Sequence, residues 1–152
     1  MEIGKSLSHP IWSYGLVTLQ FASITAILLT GAWLSSHWLG GMAQAMGVLL
    51  GLWAVKTMHL GRFNIIPDPR SDASLVETGP YRWIRHPMYA AILWVTLPML
   101  ITDASMTRFA WFLVLLLTLM LKLHYEESLL CRRFEGYADY QQRSHKLLPW
   151  VF

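Results

Sequence analysis

Cysteine is almost missing from this chain. Cys131 stands alone in 152 residues, so no internal disulfide can form, and one chain can build neither a cysteine-based zinc site nor an iron–sulfur cluster. Charge is scarce too: Asp, Glu, Lys and Arg make up 14% of the sequence, against about 25% in an ordinary soluble domain. The six histidines form no HExxH-like pair, and His59 with His124, at the ends of apolar runs, is a poor basis for haem or metal ligation, so no metal is expected. A glycine-rich phosphate loop following a strand is also lacking.

What fills the space is apolar. Hydrophobic residues make up 55% of the chain and mean hydropathy is +0.39, a balance that points to a membrane protein. Residues 11–34 carry no charge, and at about 1.5 Å per residue they reach roughly 36 Å, enough to cross about 30 Å of hydrocarbon. The run is too long for a signal-peptide core and lacks a clear cleavage site, so it is expected to be retained. Residues 39–60 form a second span, with Lys56 and His59 in its last turns. There Ala43, Gly47 and Gly51 recur every four residues, a stripe that lets another helix approach closely. Residues 87–104 and 105–125 read as a helical hairpin, barely long enough to span and with a kink expected at Pro98; a re-entrant hairpin is the competing reading. After Glu127, Leu130, Phe134 and Tyr137 recur at helical spacing among charged residues. The expected fold is therefore all-α and integral to the membrane. It is one domain over 1–152 with about four transmembrane helices (11–34, 39–60, 87–104, 105–125), both termini cytoplasmic, and an amphipathic cap over 126–152.

Charge placement supports this topology. With the N-terminus, the 61–87 segment, everything from 122 on and the nearby helix ends (Lys56 among them) on one side, that side holds eleven of the twelve basic residues and the other only Arg108. The positive-inside rule makes the basic side cytoplasmic, with the bacterial inner membrane as the expected location. Trp12, Trp33, Trp38, Trp83 and Trp150 fall near span ends, where amphipathic rings favour the interface. Because the basic excess follows topology and forms no patch interleaved with stacking aromatics, nucleic acid is not an expected partner. Membrane lipids are.

The chemistry-bearing residues cluster on the same side. "GPYRWIRHPMY" turns at Gly79 and Pro80 and starts a helix at Pro87, which sets His86 at a helix entrance suited to an anion or polar ligand group. "LKLHYEESLL" puts Glu126 and Glu127 where the last span leaves the membrane. Helices of a hairpin are antiparallel neighbours, so His86, Tyr89 and the glutamate pair are expected to face one pocket. Taken singly, Arg82 and Arg85 read equally as interfacial anchors, and the glutamates as a solvated helix end.

Together the two blocks resemble the integral-membrane methyltransferases related to isoprenylcysteine carboxyl methyltransferase and the phospholipid N-methyltransferases. The shared pattern is Gly79, Pro80, Tyr81 and Arg82; then Arg85, His86, Pro87 and Tyr89; then Glu126, Glu127 and Leu130; then Phe134, Tyr140 and Pro149. The resemblance covers roughly residues 60–150. It implies S-adenosylmethionine as cofactor, bound by His86, Tyr89, Glu126 and Glu127, since a carboxylate can accept from the cofactor's ammonium, hydroxyls or amine. It also implies methyl transfer to a lipophilic acceptor at the cytoplasmic face, isoprenylcysteine carboxyl methyltransferase-like, with Arg85 and secondarily Arg82 orienting an anionic acceptor group. A phospholipid or other lipophilic amine N-methyltransferase and a non-enzymatic four-helix scaffold are the alternatives. Two positions depart from the family: Ala91 stands where glycine is common, which would tighten the pocket, and Lys146 stands where an arginine is usual, exchanging a planar fork for a point charge.

Overall fold

Five helices account for most of the described residues of the computed structural model, which are 10–58 and 75–148. They are α1 (Pro10–Leu29), α2 (Trp38–Met58), α3 (Pro87–Thr102), α4 (Met106–Arg133) and α5 (Tyr137–Arg143), with a 3-10 turn at Gly79–Arg82 before α3. Residues 59–74, with Arg62, Arg70, Pro67 and Pro69, lie outside the described residues, as do Lys5 and the tail from Pro149. Helices α1, α2 and α4 are each long and apolar enough to cross a membrane. Helix α3 is apolar, but its 16 residues reach only about 24 Å, short of about 30 Å of hydrocarbon.

Three boundaries differ from the sequence reading, each for a physical reason. Helix α1 ends at Leu29 rather than 34, just before Gly31, a poor helix former, and Trp33 Nε1 caps its end by donating to Leu28 O (2.7 Å). Helix α4 continues past 125 to Arg133, because hydropathy marks where a membrane ends, whereas "HYEESLLCRR" remains good helix-forming sequence. Glu126 and Glu127 are therefore inside α4, and among the described residues the cap comprises α5 and the bent 144–148 segment. Phe134 closes α4 as its C-cap, with its amide bonded to Leu130 O, so Leu130 and Tyr137 belong to different helices. Pro98 lies inside α3 without ending it.

The helices pack chiefly as two pairs, α2 on α3 and α1 on α4, with α3 and α4 also in contact. Small residues set the first pair. A Cβ on Gly47 would lie 2.9 Å from Trp94 Cβ and 3.0 Å from the Ala91 carbonyl, so the stripe is a packing surface. Ala91 faces this seam rather than the expected pocket, its Cβ 3.4 Å from where one on Gly51 would be. Ile27, Met99, Leu115 and Leu119 form a core where α1, α3 and α4 meet. The outer faces are apolar and exposed, with Leu49 and Leu52 on α2 and Leu117 and Leu121 on α4, as lipid-facing surface would be.

Candidate active site

The "GPYR" turn is built to lie against α2. Gly79 has φ +58°, and a Cβ there would collide with Thr57 Oγ1, so both the left-handed backbone and the close approach require glycine. The chain then runs from Trp83 to His86 alongside the C-terminal segment. Ile84 and His145 form a parallel bridge, Arg85 N donates to His145 O (2.7 Å), His86 N to Lys146 O (3.1 Å) and His145 N to Trp83 O (2.9 Å). At Lys146 the bond to the site thus runs through the backbone. Tyr140 Oη also donates to Tyr81 O (2.5 Å), and burial pushes the Tyr140 hydroxyl well above the ordinary tyrosine range, which keeps it a donor. The segment after α4 is therefore fastened onto the turn before α3.

This fastening alters the helix entrance. The amides of Arg85 and His86 go to the C-terminal segment, those of Tyr89 and Ala90 to His86 O (both 3.1 Å), and Pro87 has none. The anion-binding capacity expected there is largely spent within the protein, and the chemistry falls to side chains.

Those side chains converge. His86 is buried, stacked on Tyr89 with ring centroids 5.4 Å apart and planes 1° from parallel. Its Nε2 lies 3.3 Å from Glu127 Oε1 and its Nδ1 3.6 Å from Glu126 Oε2. Burial pushes the imidazole pKa down, but hydrogen bonding and the charges of Glu126 and Glu127 outweigh it, and the net shift is upward. The two glutamates divide their partners. Glu127 accepts from Arg85 Nε (2.7 Å) and Gln141 Nε2 (3.4 Å); Glu126 accepts from Tyr89 Oη (2.9 Å).

A cavity of about 330 Å³ opens beside this cluster, within the usual range of ligand pockets of about 300–1,000 Å³. Glu126, His86, Tyr89 and Tyr81 form its polar end, and Phe21, Ile24 and Ile92 its apolar wall. Arg85 borders it, but Nη1 donates to the carbonyls of Gln141 (3.1 Å) and Ser144 while Nε holds Glu127. The guanidinium expected at the acceptor entrance thus borders the cavity and also ties α4 to the C-terminal segment. Arg82 is exposed, 5.9 Å from the Trp83 ring, and is not among the lining residues. Sequence reasoning missed Gln20 and Lys122, which line the same cavity and bond to each other at 2.6 Å. The signal was available: an amide inside an otherwise apolar span, and a lysine one turn before the glutamates, read as a topology marker or as their partner.

Residues 35–136 match the family described as phospholipid methyltransferase. The chain belongs to that family. The match takes in α2, α3 and α4, including His86, Tyr89 and both glutamates, and stops before α5. An uncharacterised protein, YpbQ, of Bacillus subtilis (strain 168) is 31% identical over 98 residues, 61% of this chain and 55% of that protein. The chain thus spans about half the length of this curated relative. Membership of a phospholipid methyltransferase family agrees with the resemblance read from the two motif blocks.

Proposed function

We propose that this protein catalyses S-adenosylmethionine-dependent methyl transfer to a lipophilic acceptor at the cytoplasmic face of the bacterial inner membrane, in the manner of isoprenylcysteine carboxyl methyltransferase. The observation that carries this reading is the cavity at the head of α3, where one end presents Glu126, His86 and Tyr89 and the wall is apolar. The donor set fits the cofactor. Glu126 can accept from an ammonium or a ribose hydroxyl, and the Tyr89 ring and its hydroxyl fix where that carboxylate points. Bound there, S-adenosylmethionine supplies an electrophilic methyl carbon on a sulfonium.

The chain's own residues bind, orient and exclude water. Glu126, Tyr89 and His86 hold the cofactor; Glu127, taken by Arg85 and Gln141, supports His86 from behind. Arg85 acts by positioning Glu127 and the C-terminal segment, and Arg82 anchors the turn at the interface. In this reading α3 and α4 form a hairpin in which α3 crosses only together with its flanking residues, and both termini lie in the cytoplasm. The support is the eleven-to-one distribution of basic residues and the short connection between α3 and α4.

Calorimetry with S-adenosylmethionine and its demethylated product tests the binding step. Both should bind, and a membrane scaffold would bind neither. Incubation with methyl-labelled cofactor and native lipid extract then identifies the acceptor. A base-labile ester supports carboxyl methylation, whereas a base-stable amine favours the phospholipid or lipophilic amine reaction that the family description suggests.

A further inference from the structure

Lys122 is the basic residue that the topology argument explains least. It lies in the apolar part of α4, 1% exposed, between Leu119 and Leu123, which are fully buried. A charge in such a place is rare unless it faces a partner or a cavity. Lys122 faces the cavity beside Glu126, and its Nζ is oriented by a neutral acceptor, Gln20 Oε1 at 2.6 Å, with the Tyr89 ring centroid 5.3 Å away.

Lys122 is one helical turn from Glu126, about 6 Å along α4, on the side toward the apolar wall of Phe21 and Ile24. The cavity is thus graded, from a carboxylate at the head of α3 to an ammonium deeper in the bundle. Arg85, which among the described residues also borders it, has its Nε on Glu127 and its Nη1 on the C-terminal carbonyls. We infer that Lys122, held by Gln20, binds the anionic group of the acceptor, a carboxylate or phosphate on an apolar tail that lies against Phe21, Ile24 and Ile92. This inference rests on the methyltransferase reading for the word acceptor. Its physical content, an anion site at Lys122, is independent of the cofactor.

The test uses the full chain in nanodiscs of zwitterionic lipid and a fluorescent fatty acid, dansyl-undecanoate, against its uncharged methyl ester. The wild type should bind the acid at least ten-fold more tightly than the ester. Lys122→Gln should abolish that preference, Lys122→Arg should keep most of it, and Gln20→Leu should reduce it several-fold by releasing the ammonium. Competition by dodecyl phosphate or by undecanoate, whichever is stronger, assigns the group as phosphate or carboxylate. Glu126→Gln should weaken cofactor binding. Equal binding of acid and ester by the wild type, or an undiminished preference in folded Lys122→Gln, overturns the proposal; should Lys122→Gln not fold, an unchanged preference in Gln20→Leu does so. A wild type that prefers the acid yet binds no S-adenosylmethionine leaves the anion site standing and removes the proposed function.

Discussion

Each end of the helix bundle holds a buried arginine, and the two are used in opposite ways. At the end where α1 and α3 finish, Arg108 is fully buried and spends its donors on backbone: Ile27 O (3.0 and 3.3 Å), Ala32 O (2.7 Å), Met99 O (2.8 Å) and Asp103 O (3.5 Å). Its nearest carboxylate oxygen, on the half-exposed Asp103, is 3.8 Å away. At the other end Arg85 meets a carboxylate at 2.7 Å inside a network of ionisable side chains bordering a cavity. Ile27 O and Met99 O lie in the last turns of α1 and α3, where helix carbonyls can take a further donor, and Ala32 O and Asp103 O lie just beyond those helices. One guanidinium with five donors satisfies several of them and latches α1, α3 and α4 together. An arginine satisfied by backbone is thus a fold device, whereas titratable side chains gathered beside a cavity are available to a ligand.

The sharpest way to break the comparison is Arg108→Met. It removes the shared donor from carbonyls of α1 and α3 in an apolar layer, and the expected loss of stability is about 3–5 kcal/mol, the range for breaking a buried charged contact. Unfolding in detergent should show a large fall in midpoint, while the fraction that remains folded keeps its cofactor affinity. A fall of under about 1 kcal/mol would mean that the latch is replaceable by water.

Arg85→Ala should be milder and local. It removes charge-assisted bonds to Glu127 and to the carbonyls of Gln141 and Ser144, about 2–3 kcal/mol, and frees the C-terminal segment from the turn. Hydrogen exchange at residues 140–146 should rise selectively. Uniform exchange across α1 and α4 would show that Arg85 serves the whole bundle, as Arg108 does.

The contrast between the ends was only half legible in the sequence. Uncharged runs and the two motif blocks pointed to the long apolar helices, to the turn at Gly79 and to the convergence of His86 and Tyr89 with the glutamates, because each of those signals is local: a hydropathy run, a proline at a helix start, a glycine at a turn. Arg108 read as the lone basic residue on the far side, since nothing local says that a cation will be satisfied by carbonyls of two other helices. Arg85 read as facing the acceptor for the same reason: its partners Glu127, Gln141 and Ser144 are 42, 56 and 59 positions away. Helix α4 exceeded its expected length because hydropathy measures the solvent, not the backbone.

Within the site end the two glutamates offer a finer comparison. Glu126→Ala should cut S-adenosylmethionine affinity ten- to a hundred-fold, the loss of a charge-assisted bond worth about 1.5–3 kcal/mol, with the melting temperature nearly unchanged. Glu127→Ala strands Arg85 and His86 and should act first on stability. Calorimetry and melting on both variants decide it, and a reversed pattern would exchange the roles assigned to the pair.

The smallest effect is in pH. Within the cluster beside the cavity His86 is an ionisable group whose pKa is raised in the folded chain: burial pushes it down, but hydrogen bonds and charge from Glu126 and Glu127 prevail. The histidine's ordinary value is about 6.5. A group with a raised folded value binds more protons folded than unfolded, so its stabilisation is complete below the ordinary value and is lost as pH rises through the folded one. The protein should therefore lose stability from about pH 6.5 upward, levelling once His86 is neutral. His86→Asn should flatten this slope relative to the wild type. Melting midpoints of wild type, His86→Asn and Arg108→Met from pH 6 to 9 resolve the difference: the slope should vanish in the first variant and survive in the second. A slope unchanged in His86→Asn would show that the imidazole is already neutral between its carboxylates and that the charge reading of the cluster is wrong.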